Sequence, residues 1–181
     1  MKFVNLIVLI VLFTLISACS ESAESNTDTT ETAQTEQPYF RFETADGRSG
    51  YRTADGDTVI RAGKYEMCFT DTFTYAAIVL KPDEGFLGID KTGKVLYQVF
   101  AFDNGPDYLA EGFFRIQKDG KIGFADREGR IVIEPQFSCA HPFEDGKAQV
   151  SLNCTTLHEG EHTSWQSEEW FYIDKTGKRV E

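Results

Sequence analysis

Four stretches of the chain share one skeleton, and this self-similarity limits the fold more than any other feature. Phe40-Arg41-Phe42, Asp46-Gly47-Arg48-Ser49-Gly50-Tyr51, Gly56 and Val59-Ile60 have counterparts, in the same order, further along. These are Phe114-Arg115-Ile116, Asp119-Gly120-Lys121-Ile122-Gly123-Phe124, Gly129 and Val132-Ile133. The skeleton returns at Ile89-Asp90-Lys91-Thr92-Gly93-Lys94-Val95-Leu96 and at Trp170-Phe171-Tyr172-Ile173-Asp174-Lys175-Thr176-Gly177-Lys178-Arg179-Val180. The anchoring glycines 56, 93, 129 and 177 lie 37, 36 and 48 residues apart, so the last interval holds an insertion. Such a period belongs to stacked units that bury a core only against their neighbours, with about three the minimum.

Within one unit the local chemistry is that of β-structure. Lys118-Asp119-Gly120 sits between two strand-like runs, and Asp-Gly is a strong type I′ hairpin signal. Asp126-Arg127-Glu128-Gly129 turns the chain again. An Asp side chain can bond the turn's own backbone there, and Gly accepts a positive φ. Arg130–Ile133 forms a third strand, which Pro135 ends because it has no ladder donor. After a loop, Phe143-Glu144-Asp145-Gly146-Lys147-Ala148-Gln149-Val150 returns as the first strand of the next unit. No segment keeps a 3.6-residue apolar period, so little helix is expected beyond the N-terminal apolar run.

These residues resemble the WG (or KWG) repeat family. Its pattern is roughly Lys-Trp-Gly-aromatic-Ile-Asp, a short step to Gly-Lys, an aliphatic strand, Pro-x-aromatic, a loop with Ala, and Phe-x-x-Gly-x-Ala-x-Val. Lys121 to Val150 follows it almost throughout: Pro135, Phe137, Ala140 and Phe143 fit the middle, and Gly146, Ala148 and Val150 the close. The Trp-Gly pair itself never occurs intact. Its positions hold Ser49-Gly50, Phe86-Leu87, Ile122-Gly123 and Trp170-Phe171, and Thr53 replaces the turn Asp of the first unit. The resemblance implies an all-β fold of tandem three-stranded antiparallel meanders over residues 38–181. About 3.5 units are expected, the fourth stopping after its first hairpin. It carries no transferable catalytic residue.

The N-terminus reads as an address. After Met1-Lys2, Phe3–Ile16 is nearly continuous hydrocarbon, shorter than the roughly 20 residues of a membrane span. Residues 1–18 are therefore expected to be a secretory signal peptide. Leu15-Ile16-Ser17-Ala18-Cys19 resembles the bacterial lipobox. That resemblance implies a mature chain beginning at Cys19, with a diacylglyceryl thioether and an N-acyl chain, enough for stable anchoring. It also implies that Ser20, where an Asp retains such proteins in the inner membrane, directs the chain to the outer one. Ser20–Gln37 holds five acids among Ser, Thr, Asn and Gln, with no aromatic and no basic residue. With too little apolar surface to offset ordering entropy, residues 19–37 are expected to be a disordered tether. Its root-mean-square reach is about 25 Å.

Candidate chemistry is sparse. His158-Glu159-Gly160-Glu161-His162 matches H-E-x-x-H, which in zinc proteases needs a helix to turn both histidines to one metal. Gly160 opposes a helix, Glu161 and Thr163 are polar where such helices are apolar, and a third ligand would have to come from Glu168, Glu169 or Glu181. A polar hairpin tip is the expected structure, leaving His158 and His162 only weak metal candidates. Cys139 and His141 lie in a variable loop without an orienting group, so no thiol nucleophile is expected. Asp103-Asn104-Gly105-Pro106-Asp107 lacks the spacing and closing Glu of a calcium loop and reads as a tight turn. Phe100, Phe102, Phe113, Phe114, Phe124, Phe137 and Phe143 alternate with polar residues, which is core patterning. Of the exported thiols Cys68, Cys139 and Cys154, the pair Cys139–Cys154 is the expected disulfide, being joined by one loop and one returning strand.

Composition narrows the function. A charge of −11 excludes nucleic-acid clamping, while 41% hydrophobic and 13% aromatic residues exclude disorder throughout. The expectation is a lipid-anchored protein of the bacterial cell envelope, in the outer membrane. Its repeat domain is a non-catalytic binding or scaffolding module, with no catalytic residue and no cofactor. The partners expected are the membrane, through the lipid, and another envelope protein or polymer. The alternatives are an envelope metalloprotein or hydrolase using His158–His162, or an inhibitor or immunity protein.

Overall fold

The computed structural model describes residues 37–159 and 162–181; the expected signal peptide and lipidation site, and all of the expected tether but Gln37, lie outside the described residues. Every regular element described is a strand. The first meander is β1 (Tyr39–Glu43), β2 (Ser49–Arg52) and β3 (Thr58–Ile60), followed by the short β4 (Met67–Cys68) and β5 (Thr72–Phe73). The second is β6 (Ala77–Lys81), β7 (Gly85–Ile89) and β8 (Val95–Val99), followed by a small hairpin of β9 (Ala101–Phe102) and β10 (Gly105–Pro106). The third is β11 (Phe113–Lys118), β12 (Lys121–Asp126) and β13 (Ile131–Phe137), followed by β14 (Cys139–Ala140). The fourth is β15 (Lys147–Ser151), β18 (Phe171–Asp174) and β19 (Arg179–Val180), interrupted by the hairpin β16 (Thr155–Glu159) and β17 (His162–Gln166).

All pairings are antiparallel, and the second and third meanders join edge to edge through β8 and β11 in a seven-stranded sheet. The fourth unit extends past its first hairpin: β19 adds a two-residue third strand, paired with Tyr172 and Ile173. The insertion is a hairpin rather than a helix, as its Gly160 centre and β-prone Thr-rich flanks favour.

One turn repeats in all four units. The N–H of Thr53, Asp90, Asp126 or Asp174 donates to the carbonyl of the residue four on, and the N–H of Gly56, Gly93, Gly129 or Gly177 donates back to the carbonyl of that first residue. Asp90 Oδ1 accepts from the backbone N–H of Thr92 and Lys94, and Asp174 Oδ1 from those of Thr176 and Lys178. In the first unit the Thr53 hydroxyl takes this acceptor role toward Asp57 N–H. The four glycines have φ between 80° and 95°, a region other L-residues avoid.

Gly50 and Gly123 answer a different constraint. A Cβ at either would lie 2.4 Å from the carbonyl oxygen of Ile60 or Ile133, because the third strand bulges over the second there. This explains the glycine of the Trp-Gly position. In the second unit Leu87 stands there, and the close approach moves to Gly88, whose missing side chain admits the Tyr97 ring.

Among the described residues the buried core divides into three clusters, each shared by consecutive units. Tyr51, Ile60, Val79 and Leu87 belong to the first and second; Tyr97, Val99, Phe114 and Ile116 to the second and third; Phe124, Phe137, Ala148 and Ile173 to the third and fourth. A lone three-stranded sheet has no second layer for its apolar face, so neighbours supply it. The phenylalanines divide accordingly. Phe114, Phe124, Phe137 and Phe143 are buried, Phe100 and Phe113 are partly buried, and Phe102 is 49% exposed.

Candidate functional site

The junction of the third and fourth units carries the molecule's chemistry. Arg115 on β11 is 4% exposed and forms a bidentate ion pair with Asp107, itself 6% exposed. Its Nη2 donates to Asp107 Oδ1 at 2.6 Å and its Nε to Oδ2 at 2.9 Å. Asp107 Oδ2 also accepts the backbone N–H of Arg115 at 2.8 Å, and Nη1 donates to the Ala140 carbonyl at 3.2 Å. The guanidinium lies over the Phe100 ring, 4.2 Å from its centroid. Each charge is thus met by oriented partners, the condition under which a buried pair is tolerated. Asp107, at the end of the segment read as a tight turn, belongs to this pair rather than to a calcium loop. Arg41, at the equivalent position of the first unit, pairs with Asp71 at the surface.

Aromatic rings extend from this pair to the surface. Phe100 meets Trp165 edge-on at 5.7 Å, and the His141 ring lies 5.5 Å from Trp165 and 5.2 Å from Trp170. Partial burial, and after it the charge of Arg115, lowers the His141 pKa below its ordinary value, so this imidazole is neutral at pH 7. Among the described residues, the hairpin that supplies Trp165 has no strand partner beyond its own two strands. It is tied to the body by the ring contacts, by the Ser151–Ser167 hydroxyl bond of 2.8 Å, and through the disulfide between Cys139 and Cys154, whose Cα atoms are 6.1 Å apart.

Beside His141 opens a groove of about 560 Å³. Its lining includes Pro142 and Phe143, with Tyr108 on one flank and Lys147, Gln149 and Tyr172 on β15 and β18. Tyr108 is 49% and Tyr172 37% exposed, and the Lys147 ammonium stands 4.6 Å above the Tyr172 ring. Among the described residues, the hydroxyls of Tyr108 and Tyr172 and the amide of Gln149 meet no protein partner. The backbone beneath is fully engaged. His141 N–H donates to Gln149 carbonyl, Glu144 and Lys147 exchange both backbone bonds, and Lys147–Val150 pairs with Phe171–Asp174. The two-residue turn Asp145-Gly146, both at positive φ, is capped from the preceding unit: the Glu111 carboxylate accepts Gly146 N–H at 3.1 Å and pairs with Lys175 at 3.0 Å.

The other sequence candidates fall elsewhere. Cys139 is 1% exposed and bonded to Cys154, so it offers no thiolate to His141. Cys68 is a buried free thiol in the first core, and burial raises its pKa. His158 pairs across the ladder with Thr163, and His162 with Glu159, so they are not cross-strand partners and do not share a helix turn. Among the described residues no three His, Cys, Asp or Glu side chains gather as a metal ion would need. The groove itself escapes sequence reasoning, since its members come from the loop after β10, the loop after β14 and two strands separated by the insertion. The one available signal was the departure of Tyr108 and Tyr172 from core positions.

Residues 122–153 match the family model of the WG containing repeat. No curated protein and no solved structure matches the chain. The matched segment runs from β12 through β15 and includes the groove residues from His141 to Gln149, and the same turn with its glycine recurs in the other three units. Over residues 122–153, therefore, the chain is similar to the WG containing repeat.

Proposed function

We propose that this protein is a bacterial cell-envelope lipoprotein, held in the outer membrane by acyl chains on Cys19, whose WG-repeat region is a non-catalytic binding module. The observation that carries the binding half of the reading is the groove at the third and fourth units. There Tyr108, Gln149 and Tyr172 present hydrogen-bonding ends that no group among the described residues occupies, on a scaffold pinned by the Arg115–Asp107 pair. Groups held in place but left unpaired are what a ligand needs, because its affinity is not spent on ordering them. The anchor half rests on the Leu15–Cys19 lipobox resemblance and the acidic tether that follows.

Fractionation and crosslinking test the two halves separately. Wild-type protein is expected in the membrane fraction after a carbonate wash, and Cys19→Ala in the soluble fraction. Retention of Cys19→Ala in the membrane contradicts the anchor. Crosslinking in whole cells, through a photoreactive residue at position 108, is expected to capture an envelope component that is absent when the residue is placed at position 75. Identical capture at both positions contradicts the groove as the binding surface.

A further inference from the structure

We infer that the groove between Tyr108 and Tyr172 binds a neutral oligosaccharide, a few sugar units of an envelope polymer. The inference deepens the binding-module reading and rests on it. Its volume of about 560 Å³ falls within the range of small-ligand sites and accommodates a short saccharide rather than a folded protein surface.

The lining selects among ligand classes. A peptide added as a strand needs unpaired backbone N–H and C=O groups, and here β15 is paired on both sides, to β14 and to β18. The side chains must therefore make the recognition. An anionic ligand would meet the carboxylates of Glu144 and Asp145, against one ammonium, Lys147, which already lies over the Tyr172 ring. Neutral His141 adds no charge to attract it. A wholly apolar ligand would strip water from the hydroxyls of Tyr108 and Tyr172 and from the Gln149 amide without replacing its hydrogen bonds. A sugar ring satisfies both surfaces. Its C–H face packs against an exposed aromatic ring, and its hydroxyls both donate and accept, matching phenol, amide and carboxylate ends. Phe102, exposed and in edge contact with Tyr108 at 5.1 Å, extends the aromatic surface beyond the groove, as an oligomeric rather than monomeric ligand requires.

The protein carries its own reporter. Its two tryptophans, Trp165 and Trp170, both pack against His141, which lines the groove, so intrinsic tryptophan fluorescence reads this corner alone. The full chain, purified in a sugar-free amine-oxide detergent, is titrated with three neutral hexasaccharides: β-1,4-glucose, α-1,4-glucose and β-1,4-N-acetylglucosamine. At least one is expected to shift the emission saturably, with dissociation constants in the millimolar range or tighter. Tyr108→Ala and Tyr172→Ala are expected to weaken that binding about tenfold or more, and Tyr75→Ala, exposed on the second unit, to leave it unchanged. Gln149→Ala is a second variant should either tyrosine replacement lower the melting temperature. No saturable response to any of the three sugars, or a response equally strong in Tyr172→Ala and Gln149→Ala, overturns the inference. Capture of a protein by the position-108 crosslink with no sugar response overturns the saccharide while leaving the binding module standing.

Discussion

The Tyr97 hydroxyl, on the third strand of the second unit, donates to the carbonyl of Gly129, the turn glycine of the third, at 2.6 Å. The relationship has equivalents on either side. Tyr65 donates to the Gly93 carbonyl at 3.1 Å, and Ile133 packs its side chain against Gly177. Gly93, Gly129 and Gly177 are thus each seated on a side chain from the unit before, and the stack is locked at the same point three times. Tyr97→Phe keeps the ring but leaves the buried Gly129 carbonyl without its donor, so urea unfolding is expected to show a loss of about 1–3 kcal/mol. A loss of a few tenths would mean that water reaches the carbonyl.

The same hydroxyls set an alkaline limit. Burial raises the pKa of Tyr51, Tyr65 and Tyr97 above the ordinary 10.0, with the neighbouring Cys68 adding to the effect at Tyr51 and Tyr65. A phenol whose folded pKa exceeds its unfolded one contributes its full stability below pH 10.0, and loses it as pH climbs toward the folded value. Absorbance titration should therefore show part of the seven tyrosines ionising only as the β-sheet circular dichroism signal collapses. Smooth titration of all seven near 10.0 with intact secondary structure would contradict this burial.

The thiols make a third prediction. Cys139 is bonded to Cys154 fifteen residues on, and Cys68 is buried with a raised pKa. Native protein produced in an oxidising compartment should resist alkylation at all three; unfolding without reductant should expose Cys68 alone. Cys154→Ser should lower stability by about 3 kcal/mol and loosen the Trp165 hairpin, since a two-stranded hairpin is marginal by itself. Alkylation of Cys139 in the unfolded, unreduced protein would refute the pairing.

Gly123→Ala tests why the Trp-Gly position keeps its glycine. A methyl group there meets the Ile133 carbonyl at 2.4 Å and the Pro135 nitrogen at 2.6 Å, both backbone atoms that cannot swing aside. Overpacking of this kind costs about 1–3 kcal/mol. Gly105→Ala, where nothing lies within 4 Å, is the control and should be nearly neutral. Equal effects at the two sites would show that the bulge yields.

Much of the fold was legible because its signals are local. Asp119-Gly120 adopts positive φ at both residues, at 52° and 72°, as its dipeptide requires, and the turn Asp and Gly recur in sequence as they do in space. The insertion could be read as a hairpin because Gly160 disfavours the alternative. What could not be read is non-local. Arg115 sits at an alternating strand position that predicts a solvated side chain. It is buried because Asp107, eight residues earlier in a variable loop, turns inward to meet it. The exchange of large and small residues between Gly88 and Tyr97 likewise depends on a cross-strand register that no single strand encodes. The groove inherits this difficulty, being built where two units and two loops meet.

Neighbouring units share their cores, and Ile173→Asp puts that sharing to the test. Ile173 lies on β18 of the fourth unit, 1% exposed, in the same cluster as Ile122, Phe124 and Ile133 of the third. Amide hydrogen exchange should accelerate not only in β15 and β18 but also in β12 and β13, while the first core, around Val79 and Leu87, keeps its protection. Acceleration confined to β15, β18 and β19, with β12 and β13 unchanged, would contradict the shared core.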